Sequence, residues 1–209
     1  MSPEVIVELV KLIPSVLWVI LVAILIAVFY RPIRRELLPK MQGIHAFGIE
    51  VTFLQGELDK AIAKRGDEVS QGERSQVLRR AQRVVQSIHG AQILWVDDNP
   101  DNNIYERGIL RSLGIFVDLA RTTNEALSMM SHTKYDAVIS DMNRNGVADE
   151  GLKFLTEMRV RNIKLYHWTI FYAAGFDPSK GVPPLAFGMT NRPDYLLHLV
   201  LDILERKCI

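Results

Sequence analysis

A chain of 209 residues has room for one domain and a smaller appendage. Lys and Arg total 25 against 24 for Asp and Glu, so no bulk field favours nucleic acid, and none is expected as a partner. The single cysteine, Cys208, excludes an intramolecular disulfide and fits a reducing compartment.

The apolar residues are unevenly spread. Residues 13–30 read IPSVLWVILVAILIAVFY without a charge. Extended back over Lys11 and Glu8 to Val5, the run exceeds the ~20 residues that cross a bilayer core. A core helix is rarely apolar on every face for so long, so residues 1–35 are expected to form a transmembrane anchor. Glu4 and Glu8 precede the run and no small-x-small site follows it, which argues against a cleaved signal peptide. Trp18 and Tyr30 are candidate interfacial anchors. Arg31, Arg34, Arg35 and Lys40 follow the run, whereas only Lys11 precedes it. The positive-inside rule then orients a single pass in the cell membrane, with the N-terminus outside and everything from Arg31 onward cytoplasmic. The same basic stub is suited to anionic lipid.

Residues 36–90 form a juxtamembrane connector. Residues 44–53, IHAFGIEVTF, are rich in β-branched and aromatic side chains and predict a short strand or hairpin. Residues 54–64 predict a short helix ended by Gly66. Ser70 and Glu73 form a capping box for a second helix, which Gly90 stops. That helix carries Val77, Leu78, Ala81, Val84, Val85 and Ile88 at three- and four-residue spacing, with Arg74, Arg79, Arg80 and Arg83 on its other face. The stripe has two readings. It packs on the domain that follows, or it forms a seam between two chains, a homodimer through residues 75–89.

From residue 91 to 209, strands and helices alternate, the pattern of a parallel sheet covered on both faces. The strands are expected at 92–96, 115–120, 137–140, 164–172 and 185–187. Helices are expected at 102–113, with Ile104, Ile109, Leu110 and Leu113 turned to the core, and from Thr122 with a Thr122/Glu125 capping box through Met130. Two more are expected over 152–161 and 193–207, with Pro193 pre-set for the first turn. Pro178, Gly181, Pro183 and Pro184 fall between the last two strands, where breakers at this density oppose a helix.

Two of these strands end in acid. The first runs Trp95-Val96 into Asp97-Asp98-Asn99, and the third runs Val138-Ile139-Ser140 into Asp141-Met142. In an open α/β sheet, ligands bind in the crevice at the carboxyl ends of the strands. Three carboxylates meeting there repel one another unless a cation sits among them or one takes a proton. Asp97, Asp98 and Asp141 therefore suggest an oxygen-lined site for a hard divalent ion, Mg²⁺ by preference. His45, His89, His132, His167 and His198 show no metal-ligand spacing, and no phosphate-binding glycine loop is present. Gly146 and Gly151 shape the turn after Asp141.

With those motifs in place, residues 92–204 resemble the receiver domain of two-component response regulators, CheY-like in kind. The resemblance implies a flavodoxin-like fold, a doubly wound five-stranded parallel sheet in the order 2-1-3-4-5. It implies Mg²⁺ at Asp97, Asp98, Asp141 and the backbone carbonyl of Asn143, and phosphoryl transfer from a partner kinase to Asp141. The sequence departs from the pattern at the switch positions. Receivers end the fourth strand in Thr or Ser, where this chain has Tyr172 and Ala173. They carry a Lys before a Pro at the end of the fifth, where this chain has Arg192, and the two cations are not interchangeable at close quarters.

The leading expectation is a membrane-anchored signalling protein with a degenerate receiver, more a binding module than an enzyme, acting through protein contacts. One alternative is a membrane effector of a bacterial defence system, whose TIR-like or receiver-like sensing domain triggers oligomerisation and membrane damage. An NAD-cleaving enzyme is the third, with Glu106, Glu125 and Glu150 as available glutamates, none in a recognisable motif.

Overall fold

The computed structural model describes residues 18, 49–175 and 181–207. Apart from Trp18, the expected membrane span and its flanking Arg31, Arg34 and Arg35 lie outside these residues. Among the described residues, no helix is long and apolar enough to cross a membrane.

Two helices lead the described chain. Helix α1 is Ile49–Arg65 and α2 is Gln71–Ile88. The strand expected over 44–53 is overturned for Ile49 to Phe53, which open α1; residues 44–48 lie outside the described residues. Leu54, Leu58, Ala61 and Ile62 make one buried face of α1 at helical spacing, and that face outweighs the local β preference. Gly66 ends α1 at a φ of 73°, a left-handed conformation that glycine adopts without penalty. The Ser70 hydroxyl accepts from the Glu73 N–H while the Glu73 carboxylate accepts from the Ser70 N–H, so the expected capping box starts α2.

The sheet follows. Its strands are β1 Gln92–Val96, β2 Phe116–Ala120, β3 Ala137–Ser140, β4 Thr169–Tyr172 and β5 Gly188–Thr190. All pairings are parallel and the order is β2-β1-β3-β4-β5, the flavodoxin-like arrangement expected from the sequence. Helices α3 Ile104–Ser112, α4 Thr123–His132, α5 Glu150–Val160 and α6 Pro193–Lys207 connect or follow the strands.

Four local expectations need correction. Lys164–Trp168 is a 3₁₀ turn rather than strand, and the pairing of β4 with β3 begins only at Thr169, opposite Val138. The fifth strand falls at Gly188–Thr190, three residues later than expected. Leu185 has a φ of 76° and Ala186 donates back to Pro183, so this apolar run is a turn. Gly188 is what permits the strand, since a Cβ there would sit 2.8 Å from Leu199 of α6. Ile104 is 52% exposed, because the buried line of α3 runs through Asn103, Glu106, Arg107, Leu110 and Leu113 instead. At α4 the Thr122 cap forms, but the Glu125 carboxylate accepts from Arg121 N–H and the box does not close.

The boundary expected at residue 90 is not a boundary in packing. One buried cluster joins Leu54, Leu58 and Ile62 of α1 and Val77, Leu78, Ala81 and Ile88 of α2 to the sheet domain. On that side it takes in Ile93 and Trp95 of β1, Ile109 of α3, and Val200 and Ile203 of α6. α1 lies on α3, and α2 lies on α6. Arg80 clamps the second contact by pairing with Asp202 at 2.5 Å and Glu205 at 2.6 Å. Val77, Leu78, Ala81 and Ile88 of the α2 stripe are thus buried within one chain, with Val84 and Val85 partly buried beside them.

Removing the Leu58 side chain should therefore destabilise the sheet itself. Leu58→Ala is expected to cost about 2–5 kcal/mol in a single urea transition read from Trp95. An unchanged transition would mean that α1 docks as a separate unit.

Candidate functional site

β1 and β3 are neighbours, with Val96 in register with Ser140, so the residues just past their ends emerge side by side. One carboxylate oxygen from each of Asp97, Asp98 and Asp141 lies within 4.8 Å of the others, and no other such cluster occurs among the described residues. The structure thus brings together the three acids that the sequence singled out.

Each carboxylate is held by its own loop. Asp97 is buried and accepts from the Asn99 N–H at 2.7 Å and from the Asn103 side-chain amide. Asp98 accepts from the Asn145 N–H at 2.6 Å. Asp141 accepts from the Met142 N–H at 2.7 Å. The loop after Asp141 is shaped for this closeness. Asn145 and Gly146 have φ of 53° and 72°, and a Cβ on Gly151 would sit 2.7 Å from the Asp141 carbonyl. Asn143 is exposed, and its side chain accepts from the Asp149 N–H at 3.2 Å.

Burial pushes the Asp97 and Asp141 carboxyls above their ordinary range. The charge of Asp98 adds to the rise at both, and that of Asp97 adds at Asp141, while the backbone N–H groups oppose it. At an effective dielectric of about 20, two unit charges 4.8 Å apart repel by about 3 kcal/mol. Three such pairs rival the whole stability of a domain. A cation, or a proton on one of the carboxyls, would relieve that repulsion.

The cleft over these acids, about 340 Å³, is also lined by Lys64, Arg65, Asn102, Asn103, Tyr172 and Ala174. Arg65 lies over the Tyr172 ring with its guanidinium carbon 4.3 Å from the centroid, and donates to Asn103 Oδ1 at 2.8 Å. Lys64 donates to the carbonyls of Asp101 and Asn102 at 3.2 and 2.8 Å. Sequence reasoning missed both residues. They looked like the basic last turn of a helix, and nothing local ties them to acids more than thirty positions away.

Arg144 was missed as well. It is 1% exposed, and donates to the Ser140 hydroxyl, to the Asp141 carbonyl at 3.0 Å and to the Thr123 hydroxyl at 2.9 Å. It braces the backbone of Asp141 from beneath, while burial pulls its own pKa down.

The switch positions are occupied differently from the resemblance. Tyr172 is buried and donates to Glu106 Oε1 at 2.7 Å; burial and that carboxylate hold its phenol well above the ordinary range. Ala173 is buried and carries no hydroxyl. Arg192 is turned elsewhere, pairing with Asp194 at 2.6 Å and Glu73 at 2.9 Å, and it does not line the cleft. The three glutamates considered for NAD cleavage are dispersed: Glu106 against Tyr172, Glu125 at the start of α4, Glu150 against Thr123.

No protein-family model matches the chain, and no curated protein does. Solved structures do. Chemotaxis response regulator CheY4 of Vibrio cholerae is 23% identical with a TM-score of 0.45, over 54% of this chain and 98% of its own. Response regulator TrrA of Thermotoga maritima, solved in complex with Mg²⁺-BeF, is 25% identical with a TM-score of 0.46 over the same shares. A two-component response regulator from Clostridium difficile is 22% identical at 0.47, over 56% and 98%. These structural neighbours are receiver domains, and they match the C-terminal part of the chain. The strand order by itself carries the fold assignment.

A carboxyl raised by folding contributes stability that is present below its unfolded pKa and lost as pH rises through its folded one. Asp97 and Asp141 both behave so. Asp141→Asn should therefore raise the metal-free melting temperature at pH 7, and the gain should shrink as pH falls through the raised folded pKa and be gone below the ordinary aspartate range. A variant less stable at pH 7 would show that the repulsion is already relieved from within.

Proposed function

We propose that the protein is a membrane-anchored signalling module whose receiver-like domain binds a divalent cation at Asp97, Asp98 and Asp141 and passes its state to a protein partner. The observation that carries the reading is the convergence of three carboxylates within 4.8 Å at the carboxyl edge of a parallel sheet. The donor set suits Mg²⁺, a hard ion that takes a few carboxylates and keeps water in its remaining positions. Asp98 and Asp141 would hold the ion directly and Asp97 through a water, with the Asn143 carbonyl as a further oxygen by resemblance to receivers. Bound there, the ion supplies positive charge that relieves the repulsion of the acids.

The reading stops at the ion. β4 ends without a Thr or Ser hydroxyl, and Arg192 is committed to Asp194 and Glu73. Anchoring rests on the charge-free run of residues 13–30 and the arginines that follow it. A reporter fused after Ile209 should read as cytoplasmic, and periplasmic activity would sink the topology.

Mg²⁺ at millimolar concentration should raise the melting temperature of the full-length protein in detergent by mass action. Asp141→Asn should reduce that shift. No Mg²⁺-dependent shift would leave the acidic cluster a relic of the fold and the domain a scaffold.

A further inference from the structure

A second groove, of about 460 Å³, runs along the solvent side of α5 and exposes mostly apolar surface. All of its lining comes from α5 and its N-cap Asp149, at the three- and four-residue spacing of a single helix face. Phe154, Leu155 and Met158 are buried on the opposite side. Half-buried Leu152 is followed along the groove by Thr156 and Val160, one helical turn apart, and Val160 is 81% exposed. The described residues leave this side of α5 to solvent.

One edge of the same face carries charge in alternation. Glu150, Lys153, Glu157 and Arg161 stand three or four residues apart in a single row, in the order acid, base, acid, base. Within the chain they make surface pairs, Lys153 with Glu150 at 3.7 Å and Arg161 with Glu157 at 2.5 Å, and such pairs contribute little. Read backwards, the row is base, acid, base, acid, so its complement is its own reverse. A twofold interface requires that property, because the same patch must serve both sides. Reversing α5 about a point near Leu155 sets Lys153 opposite Glu157 of the second copy and Glu150 opposite its Arg161, each pair occurring twice. The apolar line matches in the same register, with Leu152 beside Val160 of the second copy and Thr156 near the axis. A parallel pair would instead bring the row against the other edge of the helix, which holds Leu152 and Arg159.

We propose that this face of α5 is a self-association surface, on which a second copy of the chain docks antiparallel about a twofold axis. The apolar stripe of α2 is buried within one chain, whereas the ridge on α5 is open. An α5 of 11 residues is roughly 16 Å long and buries less than a standard interface. The contact is therefore weak, and its register is specified by charge rather than by area. It does not depend on what occupies the acidic cluster.

Covalent trapping tests it. Cys208 is the single cysteine of the chain, so in Cys208→Ser/Thr156→Cys the site beside the axis is the one target for a short bis-maleimide. This parent, as full-length protein in detergent, should give a cross-linked dimer. Lys153→Glu or Glu157→Lys, added singly, turns both Lys153–Glu157 contacts into like-charge ones and should cut the yield about fivefold or more. Both reversals suit the dipole of α5, acid toward its start and base toward its end, so the fold is kept. Mixing the two single variants should restore cross-linking, with one chain of each kind in the dimer by mass, because acids then face bases at both contacts. The double variant Lys153→Glu/Glu157→Lys should cross-link like the parent. No cross-link in the parent would overturn the proposal, as would yields indifferent to the single reversals. Reversals that neither mixing nor the double exchange repairs would overturn it as well.

Discussion

Mutual repulsion among Asp97, Asp98 and Asp141 is the constraint around which the carboxyl edge of this sheet is arranged. The parallel pairing of β1 with β3 leaves no freedom to separate the acids, because Val96 and Ser140 are register partners and the chain must continue from there. Backbone N–H groups from Asn99, Met142 and Asn145 each take up part of the charge. The loops that deliver them need left-handed residues at Asn145 and Gly146 and a glycine at 151. Burial of Asp97 and Asp141 works against all of this by disfavouring their charged forms. Concentrating negative charge and also drying it costs the fold stability that a cation at the cluster would offset.

Positive charge also reaches the cleft, from an unexpected direction. α1 and α2 are not a linker laid beside the domain; they share its core, from Leu58 and Val77 to Trp95 and Val200. Packing of α1 on α3 carries the last turn of α1 to the mouth of the acidic cleft, where Tyr172 and Asn103 hold Arg65. The apolar contacts set the position of the helix, and the polar ones set the direction of the guanidinium. Tyr172 joins the two regions, since its hydroxyl reaches Glu106 on α3 while its ring packs edge-on against Trp95 of β1. Beneath Asp141, Arg144 plays a bracing part through three oxygens of three different residues.

Much of this arrangement could be read from the sequence, and the reasons for success and failure are physical. Apolar runs that end in acid located β1, β3 and the three carboxylates, because burial and strand direction leave a one-dimensional trace. Ser70 with Glu73 marked the start of α2 for the same reason: a cap is a local hydrogen bond. β5 left no such trace, since its defining residue is Gly188, chosen for the approach of Leu199 rather than for strand preference. Residues 49–53 looked extended because β-branched propensity is local, whereas their helix is decided by the buried face further along α1. Lys64, Arg65 and Arg144 were invisible as site residues. Their roles depend on where helices and loops dock, and no spacing in the chain encodes that.

The most direct test of this account is a crystal of the protein grown with Mn²⁺ in place of Mg²⁺, examined for anomalous scattering. A peak about 2.1 Å from oxygens of Asp98 and Asp141, with Asp97 reached through a water, is the result the account predicts. An acidic cluster without a peak at millimolar Mn²⁺, or with Arg65 lying among the three carboxylates in its stead, would contradict it.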